Sequence, residues 1–210
     1  MVSSGPLFRY RPLFLLVLFF LCGCEAKIAN RDSQGTTIVC FGDSLTAGFG
    51  ADAGKDYPSV LRDKVDLTVI NAGVSGDTTA DGLSRLERDV LAHDPKIVII
   101  TLGANDFMRR IDKDETLRNM AAIIDRIQER GAMVVWAAVK TGLWGDMHGG
   151  DLKKLAHEKR IVLIPDILAG ILFDPRYKYD QIHPNSEGYR LMAERIYRKI
   201  EPLLKQNQTA

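Results

Sequence analysis

The chain has little cysteine for its length. Three cysteines in 210 residues, two of them within three positions at Cys22 and Cys24, exclude a disulfide scaffold. Charge of one sign is equally scarce. Lys and Arg total 28 against 27 Asp and Glu, a formal net of +1, so there is no basic stripe to collect phosphates and no nucleic-acid partner is expected. No window of 18 or more apolar residues occurs, which excludes a conventional membrane-spanning helix. Nucleotide cradles are missing as well: no G-x-G-x-x-G follows a strand, and Gly54-Lys55 lacks the Ser or Thr of a P-loop. Asp146, His148 and Asp151 lie near one another without a further ligand, so no metal site and no cofactor is expected. What remains, at 46% apolar and 26% charged residues, is the composition of an ordinary globular domain.

The first 23 residues read as a signal peptide. Arg9 and Arg11 precede an unbroken apolar run of nine, Leu13 to Leu21, which is the length of a signal core and too short to span a bilayer. Leu21-Cys22-Gly23-Cys24 resembles a bacterial lipobox, which implies lipidation of Cys24 and an exported lipoprotein anchored in a membrane. Cleavage at Cys24-Glu25-Ala26 by ordinary secretion is the alternative, giving a soluble periplasmic or secreted protein. Polar residues 24–36 are expected to form a tether, and residues 37–206 the folded domain. Cys40, left without a partner inside an apolar run, is expected to pack as a small hydrophobe.

Strand and helix patterns alternate through the remainder. Strands are predicted over Thr37 to Phe41, Leu67 to Asn71, Ile97 to Leu102, Met133 to Ala138 and Ile161 to Ile164. Helices are predicted over Asp56 to Val65, Thr78 to Ala92, Glu115 to Arg130 and Ser186 to Leu204. This alternation implies an α/β fold, a three-layer α/β/α sandwich on a parallel sheet of about five strands, flavodoxin-like in plan. Sites in such sheets form beyond the carboxyl ends of the strands. After the first three strands come Gly42-Asp43-Ser44-Leu45, Ser75-Gly76-Asp77-Thr78 and Gly103-Ala104-Asn105-Asp106, and Asp180-Gln181-Ile182-His183 precedes the last helix.

These pieces make a parts list for acyl transfer. A serine hydroxyl needs a base to take its proton, and a base imidazole needs a carboxylate to fix its tautomer. Ser44, His183 and Asp180 supply these three groups. The backbone N–H groups of Ser44 and Gly76 and the Asn105 amide are candidate donors to an oxyanion. Each residue also has a plainer reading: Ser44 as a helix N-cap, Gly76 as a turn glycine, Asn105 as an Asx-turn residue, His183 as a cap of the last helix. His148 competes as the base, with only Asp146 beside it. Asp43 and Asp106 read as loop braces, and Arg109 and Arg110 as either ordinary surface or a seat for an anionic head group.

The four blocks, in this order, resemble those of the SGNH (GDSL) hydrolases, most closely the lysophospholipase, thioesterase and arylesterase branch, over residues 37–204. The resemblance implies a serine esterase with Ser44 as nucleophile, His183 as base oriented by Asp180, and Ser44, Gly76 and Asn105 as the oxyanion hole. Lipid or aryl esters and thioesters are the implied substrates. A carbohydrate O-acetyl esterase and a non-catalytic glycan-binding lipoprotein are the alternatives. Phe107-Met108 and the loop residues Leu143, Trp144 and Met147 are expected either to line an acyl pocket or to cap the core. Oligomeric state is not legible.

Overall fold

A computed structural model describes Met1 and residues 27–140 and 149–205. Five strands, β1 (Thr37–Gly42), β2 (Thr68–Gly73), β3 (Pro95–Thr101), β4 (Met133–Ala137) and β5 (Val162–Ile164), form one sheet in the order β2-β1-β3-β4-β5. Every pairing is parallel, which requires crossover connections and buries both faces. The side chains of β1 therefore divide by parity. Ile38 and Cys40 point into a core closed by α2 (Tyr57–Arg62) and α7 (Ser186–Lys205). Val39 and Phe41 point into a second core closed by α3 (Thr79–Asp89), α5 (Lys113–Glu129) and α6 (Gly149–Glu158). This is the expected three-layer sandwich. Cys40 is fully buried and free, and burial pushes its thiol far above the usual range.

Two helices of a single turn, α1 (Ser44–Ala47) and α4 (Ala104–Met108), were not evident in the sequence. Each starts within three residues of a strand end, too short for any periodicity to show. The second predicted helix stops earlier than Ala92: α3 ends at Asp89, and a 3₁₀ turn over Leu91–His93 follows before Asp94 turns left-handed at φ 47°. Glycine 131, at φ +79°, ends α5 as expected.

The polar segment expected to be a tether is docked over its described part. Ala29 N–H donates to Arg160 O, and the Asn30 side-chain amide reaches Gln128 O at 2.8 Å and Ala132 O at 3.0 Å. Thr36 N–H donates to Asp94 O, and the Lys96 ammonium donates to Ser33 O. The backbone N–H groups of Ala29 and Thr36 and the Asn30 amide satisfy carbonyls that precede β5, β3 and β4. Residues 27–36 thus lie at the amino-terminal pole of the sheet. Residues 2–23 of the expected signal peptide, Cys24, Asp146, His148 and the loop residues Leu143, Trp144 and Met147 lie outside the described residues.

Register sets the opposite pole. Gly42 of β1 is level with Gly73 of β2 and with Thr101 of β3, so three loops leave the sheet side by side. A Cβ at position 42 would run into the hydroxyls of Thr46 and Thr101, so the close approach requires glycine there. The chain order reverses between β1 and β3, the switch point at which such sheets hold their sites.

Candidate active site

Asp43 caps α1 by accepting the Leu45 N–H at 3.0 Å, which turns the chain so that Ser44 is its first residue. The Ser44 N–H therefore has no intrahelical acceptor. Beneath it a buried chain of hydroxyls, Tyr57 to Thr46 to Thr101, ties the α1 turn to β3. The plainer reading of Ser44 as a cap is thus taken by its neighbour, and the Ser44 hydroxyl points elsewhere. Its Oγ lies 2.9 Å from His183 Nε2.

The histidine comes from the segment between β5 and α7, which returns across the sheet because α7 packs on α2. An isolated antiparallel bridge between Lys178 and Pro184, with Tyr179 N–H donating to His183 O, closes this segment into a tight turn. Asp180 occupies the turn with both oxygens in use. Oδ1 accepts the N–H groups of Ile182 and His183, each at 2.8 Å, and Oδ2 lies 2.8 Å from His183 Nδ1. Partial burial works to raise the Asp180 pKa, but the hydrogen bonds from the His183 ring and from two backbone N–H groups outweigh it, and the carboxyl is held below its ordinary range. The imidazole also meets the Phe49 ring at a tilt, with centroids 4.7 Å apart, and Phe49 packs edge-on to Tyr179 at 5.8 Å.

Gly76 sits in the turn from Val74 to Asp77, at φ +87°, where only glycine is free of strain. The turn's hydrogen bond is made by Asp77 N–H, and the Gly76 N–H stands outside it. Asn105, in the first turn of α4, is 8% exposed, and its amide nitrogen holds Asp77 O at 2.9 Å and Asp43 Oδ2 at 3.2 Å. Asp43 is almost fully buried, and burial pushes its pKa up to about 6 despite the Leu45 hydrogen bond. Asp106 accepts both the N–H and the hydroxyl of Thr79, bracing α4 against α3. Both aspartates are the loop braces that their positions suggested. Arg109 is exposed but engaged: its guanidinium donates to Gly76 O at 2.7 Å.

All five residues expected from the sequence, Ser44, Gly76, Asn105, Asp180 and His183, belong to this one rim. Two residues that shape it were missed. Phe49 follows α1 in a stretch without periodicity. Arg85 occupies the core-facing stripe of α3 with Gly82 and Leu86, and a charge on an apolar stripe was the signal that could have found it.

Ser44, His183 and Asp180 thus form one hydrogen-bonded line. A model of the GDSL-like lipase/acylhydrolase family matches residues 40–191. The chain belongs to that family. It is 32% identical to an arylesterase of Vibrio mimicus over 199 residues, covering 90% of this chain and 96% of the relative. It is 27% identical to the thioesterase 1/protease 1/lysophospholipase L1 of Escherichia coli K12, covering 97% and 98%. The crystal structure of TesA superposes with a TM-score of 0.74 at 26% identity, over 80% of this chain and 99% of TesA. This chain is therefore an ester hydrolase on the SGNH fold, and the non-catalytic reading falls away.

Proposed function

We propose that this hydrolase works through an acyl-enzyme on Ser44. The observation that carries the reading is the unbroken line from Ser44 Oγ to His183 at 2.9 Å and from His183 to Asp180 at 2.8 Å. Ser44 Oγ bonds the ester carbonyl carbon as its proton passes to His183 Nε2. The imidazolium, stabilised by Asp180, then protonates the departing alcohol or thiol, and the acyl–oxygen or acyl–sulfur bond breaks. Water repeats the sequence to free Ser44. The negative oxygen of each tetrahedral intermediate is met by the N–H groups of Ser44 and Gly76 and by the Asn105 amide. Of the two acceptors that Asn105 holds, Asp43 is the more distant, and it is the one an oxyanion would share.

For the substrate we propose lipid or aryl esters and thioesters. Val74, Phe49 and Ile182 on loops of the catalytic pole and Met108 at the end of α4 are each about half exposed, an apolar rim suited to an acyl or aryl group. The names of the arylesterase and lysophospholipase relatives support this choice. One observation favours a second reading, a carbohydrate O-acetyl esterase. A cleft of about 500 Å³ opens beside Phe49 and Tyr179, lined also by Asp52, Asn185, Ser186 and Glu187, and aromatic faces among polar groups suit a polyhydroxylated alcohol. Nitrophenyl acetate, butyrate and palmitate separate the two. Turnover sustained or rising toward palmitate is the expected result, and activity confined to acetate would transfer the assignment to the acetyl esterase.

We propose also that Cys24 carries lipid. Residue 27 stands at the amino-terminal pole, so an anchor three residues earlier would leave the catalytic rim facing away from the membrane. A labelled fatty acid should be incorporated by the wild-type chain and not by Cys24→Ala.

A further inference from the structure

A single buried guanidinium joins the pieces that the reaction needs held apart by fixed distances. Arg85, 8% exposed on α3, donates from Nε to Asp77 Oδ2 at 2.6 Å, from Nη1 to Ala72 O at 2.9 Å and to Asp89 Oδ2 at 3.1 Å, and from Nη2 to Gly42 O at 2.9 Å. Its plane lies over the Phe41 ring, 4.5 Å from the centroid. Gly42 is two residues before Ser44. Ala72 is the penultimate residue of β2, the strand that leads to Gly76. Asp77 follows Gly76, and its carbonyl holds the Asn105 amide at 2.9 Å. All three proposed oxyanion donors are therefore within two bonded residues, or one hydrogen bond, of a residue that Arg85 grips.

We infer that Arg85 is a positioning residue for the oxyanion hole: it sets the spacing between the Ser44 turn and the Gly76–Asp77 turn, and through Asp77 the aim of the Asn105 amide. It touches neither substrate nor triad. Five N–H donors in a rigid plane are what allows one side chain to hold two strand ends and a loop at once. The carboxylates of Asp77 and Asp89 balance its charge out of water. A lysine at this position would keep the charge beside Asp77 but, with a point-like ammonium, could not span Gly42 O and Ala72 O together. The two hypotheses differ in what they disturb. A residue that merely supports folding changes how much protein is native. A residue that sets donor spacing changes the rate of each native molecule, because donors displaced by a few tenths of an ångström lose most where charge develops.

The inference rests on the acyl-enzyme reading, and the test keeps the two apart. The full chain is compared with Arg85→Lys and with Asp77→Asn, which loosens the grip on the loop while keeping the backbone carbonyl that Asn105 uses. Active sites are counted by organophosphonate labelling taken to completion, and kcat and KM for nitrophenyl butyrate are expressed per labelled site. The expected result is a kcat per site lowered about tenfold or more in Arg85→Lys and several-fold in Asp77→Asn, with KM within about threefold of the wild type. A kcat per site within twofold of the wild type in either variant, whatever its yield or melting temperature, would overturn the role of Arg85 and leave the acyl-enzyme standing. If Arg85→Lys does not fold, Asp77→Asn decides alone by the same criterion. A wild-type chain that neither labels nor turns over defeats the acyl-enzyme reading, and this inference with it.

Discussion

The two halves of the catalytic rim are built differently. Ser44, Gly76 and Asn105 stand two to four residues beyond the ends of three hydrogen-bonded strands, over a buried network of Asp43, Asp77, Arg85, Asp106 and paired hydroxyls. Asp180 and His183 stand on a turn between β5 and α7, outside any helix or strand, with the Asp180 side chain 40% exposed. That turn is held by its own hydrogen bonds and by the Phe49 ring. The difference matches the two tasks. Oxyanion donors act by being in place before charge develops, and a rigid sheet end serves that. A base must take a proton on one side and release it on another, and a locally braced turn serves that.

Three substitutions would break the comparison if their order were reversed. The largest effect belongs to Ser44, the proposed nucleophile. Ser44→Ala should lower kcat by about 10⁴-fold or more with an unchanged melting temperature, checked by ester turnover beside thermal unfolding. Asn105→Ala should lower kcat by about 10²-fold or more, since one preorganised donor is lost, and KM for nitrophenyl butyrate should move far less. Phe49→Ala should reduce kcat/KM only about two- to tenfold, the worth of one ring contact supporting His183. An effect of Phe49→Ala equal to that of Asn105→Ala would show that the loop half is as tightly specified as the sheet half.

A further effect concerns stability and sharpens the account of the buried half. Because burial raises the Asp43 pKa to about 6 from an unfolded value near 3.8, the native state holds the extra proton between these values. Its ionisation therefore costs stability as pH rises from about 4 to 6, with little further change above. The cost is about 3 kcal/mol at most. Urea unfolding at several pH values should show this fall in the wild type minus the Asp43→Asn variant, and identical slopes in the two would remove the effect. Asp180, whose carboxyl is held low, works in the opposite sense: its contribution is present above pH 4 and is lost as pH falls through its native pKa.

Most of the plan was legible in the sequence because it rests on short-range rules. Continuous apolar runs such as Ile97 to Leu102 announce strands buried on both faces, and small polar turns after them announce the rim. Asp180 and His183 are three residues apart, so their pairing is a local matter of one turn. What escaped detection depends on distance. Arg85 gains its meaning only when β1 and β2 end beside α3, and the docking of residues 27–36 depends on partners nearly sixty or more residues away in the chain. The helices α1 and α4 are single turns created by the strand ends that precede them, with no pattern of their own.

The central claim is that Ser44, activated by His183, forms the covalent intermediate. Its most direct test is intact-mass and peptide mapping after treatment with an organophosphonate, on the wild type and on His183→Ala. The account predicts one phosphonyl group per chain, located on Ser44, formed at least a hundredfold more slowly in His183→Ala. A folded wild-type chain that takes up no label, or carries it on another residue, would contradict the account.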